Sequence, residues 1–385
     1  MKNSKKAAIF AVCYIAYVSI YIARLNLSMA SPTLISAGTL TKTELGGLGS
    51  VFSVVYASGR LINGRLSDKK PPFSMICSGL FLAGIANLIF GFFPPFAGML
   101  ILWSANAWAQ SMLWSSILCV IAEVFDDSSA KKLTSYMVTA VAAGNIAGII
   151  VNTAIITRLG TSFAFLIPGG FTLVMGIAAF LSIRKIPAPK PEESGKSESI
   201  FGLLKNRELL TAAVPAALHG VMKDNISLFM AVYFVDSFGI DLEKSAYFVL
   251  FIPVVGFAGR MIYPLLYKLC HEREHLVSTI GFIICAASAI PLCLGVKLPV
   301  AAMICLGLIY AAVSLINTSF LSIYPLHYAK DGHIASVSGI MDFVTYLGAG
   351  ISSMIYGSVG YLPMFISWAV VSVISVLPLM KLQKK

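Results

Sequence analysis

Tyr17-Val-Ser-Ile-Tyr21-Ile-Ala-Arg24-Leu-Asn26-Leu-Ser28 sets a guanidinium inside a run of residues that otherwise belongs in lipid. A charge at the centre of a membrane-spanning helix costs roughly 2.5 to 3.5 kcal/mol on insertion scales, so such a residue faces a cavity or a partner charge. No acidic residue is nearby in the sequence. At about 3.6 residues per turn, Tyr17, Tyr21 and Arg24 fall on one stripe of the helix. Two phenols and a guanidinium on one stripe are suited to gripping an oxyanion. The competing reading is an arginine that snorkels to an interface.

The stretch has a twin. Lys223-Asp-Asn225-Ile226-Ser227 repeats the order cation, any residue, Asn, Leu or Ile, Ser at an offset of 199. Leu40 to Leu66 lies over Ile240 to Leu266 at an offset of 200, which places Gly59-Arg60-Leu61 on Gly259-Arg260-Met261. The chain therefore reads as an internal duplication. Parallel repeats about an axis along the membrane normal build the major facilitator fold, with its site near the midplane where the halves meet. Arg24 and Lys223 are expected to face each other there.

The composition agrees: 58% hydrophobic, 12% charged and a mean hydropathy of +0.85 over 385 residues exclude a soluble chain. The expectation is an all-α integral membrane protein of twelve transmembrane helices in two pseudo-symmetric six-helix halves. The helices are placed near 7–30, 43–66, 72–93, 96–125, 130–155, 162–184, 208–235, 243–268, 274–296, 298–328, 332–357 and 360–381. A Pro-, Glu-, Ser- and Lys-rich linker over 186–207 joins an N-terminal bundle, 1–185, to a C-terminal one, 208–385. With both termini cytoplasmic, twenty of the 28 Lys and Arg residues fall inside and only Lys42, Arg158, Lys244 and Lys297 outside. The other four, Arg24, Arg60, Lys223 and Arg260, lie within helices. The net charge of +11 thus comes from loops and an electropositive cavity, and does not argue for nucleic acid. The first apolar segment is too long for a cleaved signal and is expected to stay as a helix. The seven cysteines, at helical positions without paired spacing, read as packing residues with no disulfide framework or metal site.

Further polar positions recur at helical spacing. Tyr56 precedes Arg60 by one turn, repeating the phenol-plus-cation pairing, although an arginine nearer the helix end also suits snorkelling. Ser31-Pro32 reads as the start of an outer loop. Asn106, Gln110 and Trp114 share one face of the fourth helix, and buried amides there read as lining a wet cavity, with interhelical bonding as the alternative. Glu123, Asp126 and Asp127 read as a solvated loop. His219 lies one turn before Lys223. The tenth helix offers Asn317 and Thr318, and the eleventh offers Asp342 and Tyr346 one turn apart. No phosphate loop, nucleophile–base pair or cofactor motif appears, so an enzyme is not expected.

These residues resemble the organophosphate:inorganic phosphate antiporters of the major facilitator superfamily. The carriers are Tyr21-Ile-Ala-Arg24-Leu-Asn26, Leu45-Gly-Gly-Leu-Gly-Ser with Tyr56, Gly59-Arg60 and Ser67-Asp68, and Asn106 with Gln110-Ser and Trp114. Gly64-Arg-Leu-Ser-Asp68-Lys69-Lys70 resembles the superfamily's loop signature without its later Gly-Arg-Arg portion. The resemblance implies a phosphate held by Arg24 and Lys223, with Tyr17, Tyr21, Tyr56 and Tyr346 around it and Arg60 in place of a second-helix lysine. Gln110, Trp114, His219 and Arg260 join this set of candidate substrate-binding residues. Lys223 stands where an arginine is usual, a point charge in place of a planar fork. The implied activity is uptake of a sugar phosphate or glycerol phosphate in exchange for inorganic phosphate, by a monomer in the cytoplasmic membrane with the lipid bilayer as its surroundings. Two alternatives stand beside it. One is a proton- or sodium-coupled organic-anion symporter using Asp342, since Arg-x-Asn-Leu-Ser is also similar to the anion:cation symporters. The other is a transporter-like sensor of phosphate esters.

Overall fold

A computed structural model of the chain describes residues 3–67, 70–187, 205–328 and 334–383. Asp68 and Lys69 of the loop signature, and most of the 186–207 linker, lie outside these. Every described element is helical: α1 Asn3–Ser36, α2 Lys42–Ser67, α3 Pro72–Phe90, α4 Phe96–Ser111, α5 Leu113–Val124, α6 Asp127–Leu159, α7 Phe163–Ile183, α8 Arg207–Phe238, α9 Leu242–Leu269, α10 Glu274–Cys293, α11 Pro299–Thr318, α12 Ile334–Ser358 and α13 Tyr361–Gln383. Counting α4 with α5 as one span, ten helical stretches among the described residues are long and apolar enough to cross a membrane. The two remaining long helices, α8 and α12, carry the Lys223 and Asp342 positions.

The chain ends of these helices follow local chemistry. Asn206 caps α8 by accepting from the backbone N–H groups of Glu208 and Leu209 at 2.9 and 3.3 Å, and Gly239 closes it in a left-handed conformation at φ 63°. Asp126 starts α6 by accepting from Ser129 N at 3.1 Å, and that N–H holds its carboxyl below the usual range. It is a helix cap, not a bystander in a loop.

Three departures from the expected helix limits have local causes. α1 runs through Pro32 to Ser36 instead of ending near residue 30. Proline has no N–H for the carbonyl of Ser28, and Ser31 Oγ donates to that carbonyl at 2.7 Å. The fourth span breaks at Met112, whose N–H bonds Ala109 O at 3.2 Å in a tightened turn while Ser111 Oγ donates back to Trp108 O at 2.6 Å. The tenth span changes pitch after Thr318, through a π-helical turn Ser319–Ile323 and a 3₁₀ turn Tyr324–Tyr328. Pro325, which cannot donate to the preceding turn, sits where the pitch changes.

Two compact units result: Met1–Glu44 with Val54–Glu193, and Leu45–Ser53 with Ser194–Lys385. In the first, α1 packs on α6 and α7, and α3 on α7 and α4. Its core gathers Cys13, Ala16, Ile20, Leu80, Ile117, Val120, Met137, Ala140 and Ala179 around a buried Tyr17. In the second, α8 packs on α12 and α13, α9 on α11, and α10 on α13 and α11. The pairings of the two units correspond, as a duplicated chain requires. Glycines let helices come close in each. A Cβ on Gly144 of α6 would stand 2.5 Å from Tyr21 Cβ, and one on Gly220 of α8 would stand 1.9 Å from the carbonyl oxygen of Thr345 in α12.

Candidate functional site

Each unit presents a cation against aromatic rings. In the first, the α1 stripe continues onto its neighbours as a chain of ring contacts. Trp114 of α5 lies 5.2 Å from Tyr17, centroid to centroid, and Tyr17 lies 5.4 Å from Tyr21 with the rings at 64°. The Arg24 guanidinium then stands 6.0 Å from the Tyr21 ring and 5.3 Å from that of Tyr56 in α2. Tyr17 and Tyr56 are 4% and 6% exposed, whereas Arg24, Tyr21 and Trp114 are half-buried.

Asn106 and Gln110 have a different setting from the wet cavity read in the sequence. Asn26 Nδ2 donates to Asn87 Oδ1 at 2.7 Å, Asn87 Nδ2 donates to Asn106 Oδ1 at 3.3 Å, and Gln110 Nε2 donates to the same oxygen at 3.1 Å. All four side chains are sealed from solvent. They form an amide ladder that ties α1, α3 and α4 together, which is the interhelical alternative. Asn87 was missed in the sequence because a single amide in an apolar helix does not reveal its partner.

In the second unit Lys223 Nζ lies 4.5 Å from the Tyr346 ring. His219 is wholly buried one turn earlier. Its Nδ1 is 2.6 Å from Ala216 O, and its Nε2 is 3.4 Å from the Asn317 side chain. Thr345, adjacent to Tyr346, donates to the same Ala216 oxygen at 3.0 Å. Sequence reading passed over Thr345, since it is rotated about 100° from Tyr346 on the helix. Asn225, the repeat mate of Asn26, is likewise sealed, but it donates to Ser352 Oγ at 2.8 Å and accepts from Ser353 Oγ at 2.6 Å. Asp342 is 9% exposed, one turn before Tyr346. Arg60 and Arg260 are half-buried on α2 and α9; Arg60 follows Tyr56 by one turn. The structure thus brings together Tyr17, Tyr21, Arg24, Tyr56 and Trp114 in one unit, and His219, Lys223 and Tyr346 in the other.

The chain resembles known transporters in sequence and in fold. The chain is 26% identical over 179 residues to the "Probable hexose phosphate transport protein" of Chlamydia trachomatis, a match covering 46% of this chain and 39% of that one. It is 34% identical over 110 residues to the glycerol-3-phosphate transporter of Haemophilus influenzae, covering 28% and 23%. These matches span less than half the length of either relative. Among solved structures, the nucleoside transporter NupG superposes with a TM-score of 0.82 at 13% identity, over 98% of this chain and 99% of that one, which shows a shared fold. The family model described as Major Facilitator Superfamily matches residues 13–353, and the chain belongs to that superfamily.

Proposed function

We propose that this chain takes up a phosphorylated organic anion, of the sugar phosphate or glycerol phosphate class, in exchange for inorganic phosphate, by rocker-switch alternating access. It works as a monomer in the cytoplasmic membrane with both termini inside, and not as an enzyme. The observation that carries the reading is the ring-seated Arg24, a planar oxyanion fork at membrane depth. Its repeat mate Lys223, seated on Tyr346, is the corresponding cation of the other unit. The sugar phosphate and glycerol phosphate relatives support the substrate class. A dianion bound at such a cation offsets the cost of holding positive charge away from water, so the loaded carrier reorients more readily than the empty one. That difference enforces exchange.

A second reading, proton-coupled uptake of an organic anion, is favoured by the buried carboxyl of Asp342 beside Tyr346. Titration of purified protein separates the substrate classes. Inorganic phosphate and glycerol 3-phosphate should compete for one site that simple carboxylates do not enter. Arg60, if it lines the anion's path, adds to that affinity. Arg60→Gln should then keep its fold and lose roughly 10-fold or more, the equivalent of a charged hydrogen bond of about 1.5 to 3 kcal/mol, with Arg260→Gln titrated beside it. Unchanged affinity in a folded Arg60→Gln removes Arg60 from the site. Tight carboxylate binding without phosphate competition would exclude the phosphate reading.

A further inference from the structure

The setting of His219 fixes a polar group that the phosphate-binding residues do not account for. Its Nδ1 stands 2.6 Å from the carbonyl oxygen of Ala216. A carbonyl only accepts, so the ring proton sits on Nδ1. The same oxygen receives Thr345 Oγ1 at 3.0 Å, and Thr345 Oγ1 also stands 2.8 Å from Met341 O, so α8 and α12 hold this corner from both sides. The ring is sealed from solvent, with a carbonyl at one nitrogen and an amide at the other, and is the uncharged tautomer. Nε2 therefore carries a lone pair that needs a donor.

What faces it, at 3.4 Å, is the atom placed as Oδ1 of Asn317, on the last turn of α11. With its oxygen toward the ring, Asn317 would oppose two acceptors. Turned over, it donates an N–H to Nε2 and directs its carbonyl away from the histidine. Asn317 is only half-buried, so its far end is not packed into the core as His219 is. The histidine that orients it lies on α8 four residues before Lys223, about 6 Å along the helix.

We infer that Asn317 is a specificity-determining residue: oriented by His219, it holds a carbonyl acceptor beside the Lys223 cation that reads a hydroxyl on the carbon skeleton of a phosphate ester. His219 is then a positioning residue, acting through the amide. The inference rests on the phosphate-ester reading above.

The test is a competition assay on the purified full-length protein, with labelled inorganic phosphate as probe. Glycerol 3-phosphate is compared with propyl phosphate, which has the same carbon count and no hydroxyls. The wild type should favour glycerol 3-phosphate by roughly 2- to 10-fold, the range of a neutral hydrogen bond. In Asn317→Ala that ratio should fall to near one. His219→Phe, which removes the lone pair facing the amide, should flatten it as well. Asn317→Asp, which keeps an oxygen acceptor there, should retain part of the preference, and it reports on the acceptor even if the alanine variant does not fold. A wild type that binds both esters equally, or a preference that survives in Asn317→Ala, overturns the inference while leaving phosphate exchange standing. A wild type that does not bind the phosphate probe overturns the phosphate reading itself.

Discussion

Arg24→Lys should weaken binding of inorganic phosphate by about 10- to 100-fold, and by more than Lys223→Arg does. The guanidinium stands between the rings of Tyr21 and Tyr56, at 6.0 and 5.3 Å. Lysine keeps the charge but not the plane, so it neither stacks in the same way nor offers two parallel donors to an oxyanion. Losing one charge-assisted hydrogen bond costs about 1.5 to 3 kcal/mol, which sets the range. Lys223→Arg makes the opposite change, adding a fork to a position that already holds a cation at 4.5 Å from the Tyr346 ring. Titrating both purified variants with phosphate gives the order directly. If Lys223→Arg proves the more damaging, Arg24 is not the main phosphate ligand.

Gly220→Ala should have the largest effect on stability. The added carbon would lie 1.9 Å from Thr345 O and 2.8 Å from Thr345 C, atoms of the α12 backbone that no rotamer change can move aside. α8 and α12 would have to separate. Overpacking commonly costs about 1 to 3 kcal/mol, and a backbone-to-backbone clash belongs at the upper end of that range. The same displacement would pull Thr345 from the Ala216 carbonyl and Tyr346 from Lys223, so phosphate affinity should fall as well. Gly170→Ala is the control, since a Cβ there meets nothing within 4 Å. Thermal melting of the purified proteins should show a clear fall for Gly220→Ala beside an unchanged Gly170→Ala. Equal melting temperatures would mean that this helix crossing is not close.

Helical spacing in the sequence reported faces well and neighbours poorly. The Tyr17, Tyr21 and Arg24 stripe follows from period alone, and its rings do stand in succession. The repeat offset likewise paired Asn26 with Asn225, and both are sealed in the core. Their partners were not legible, because a buried amide is satisfied across helices: one finds Asn87 in α3, the other Ser352 and Ser353 in α12. For the same reason the polar face of Asn106 and Gln110 looked like a cavity lining and is an amide ladder. Helix ends were misjudged where a side chain replaces a missing backbone donor, as Ser31 does before Pro32. Proline signals a break only when nothing else accepts its role.

The central claim is obligatory exchange, and counterflow in reconstituted vesicles tests it most directly. Purified protein is placed in liposomes loaded with labelled phosphate, and efflux is followed with and without external inorganic phosphate or glycerol 3-phosphate. A proton gradient is then imposed on vesicles that contain no phosphate. The expected result is efflux only when an external phosphate or phosphate ester is present, with no uptake driven by the pH gradient alone. Uptake of the ester into phosphate-free vesicles on a proton gradient would contradict exchange and assign coupling to a carboxyl such as Asp342.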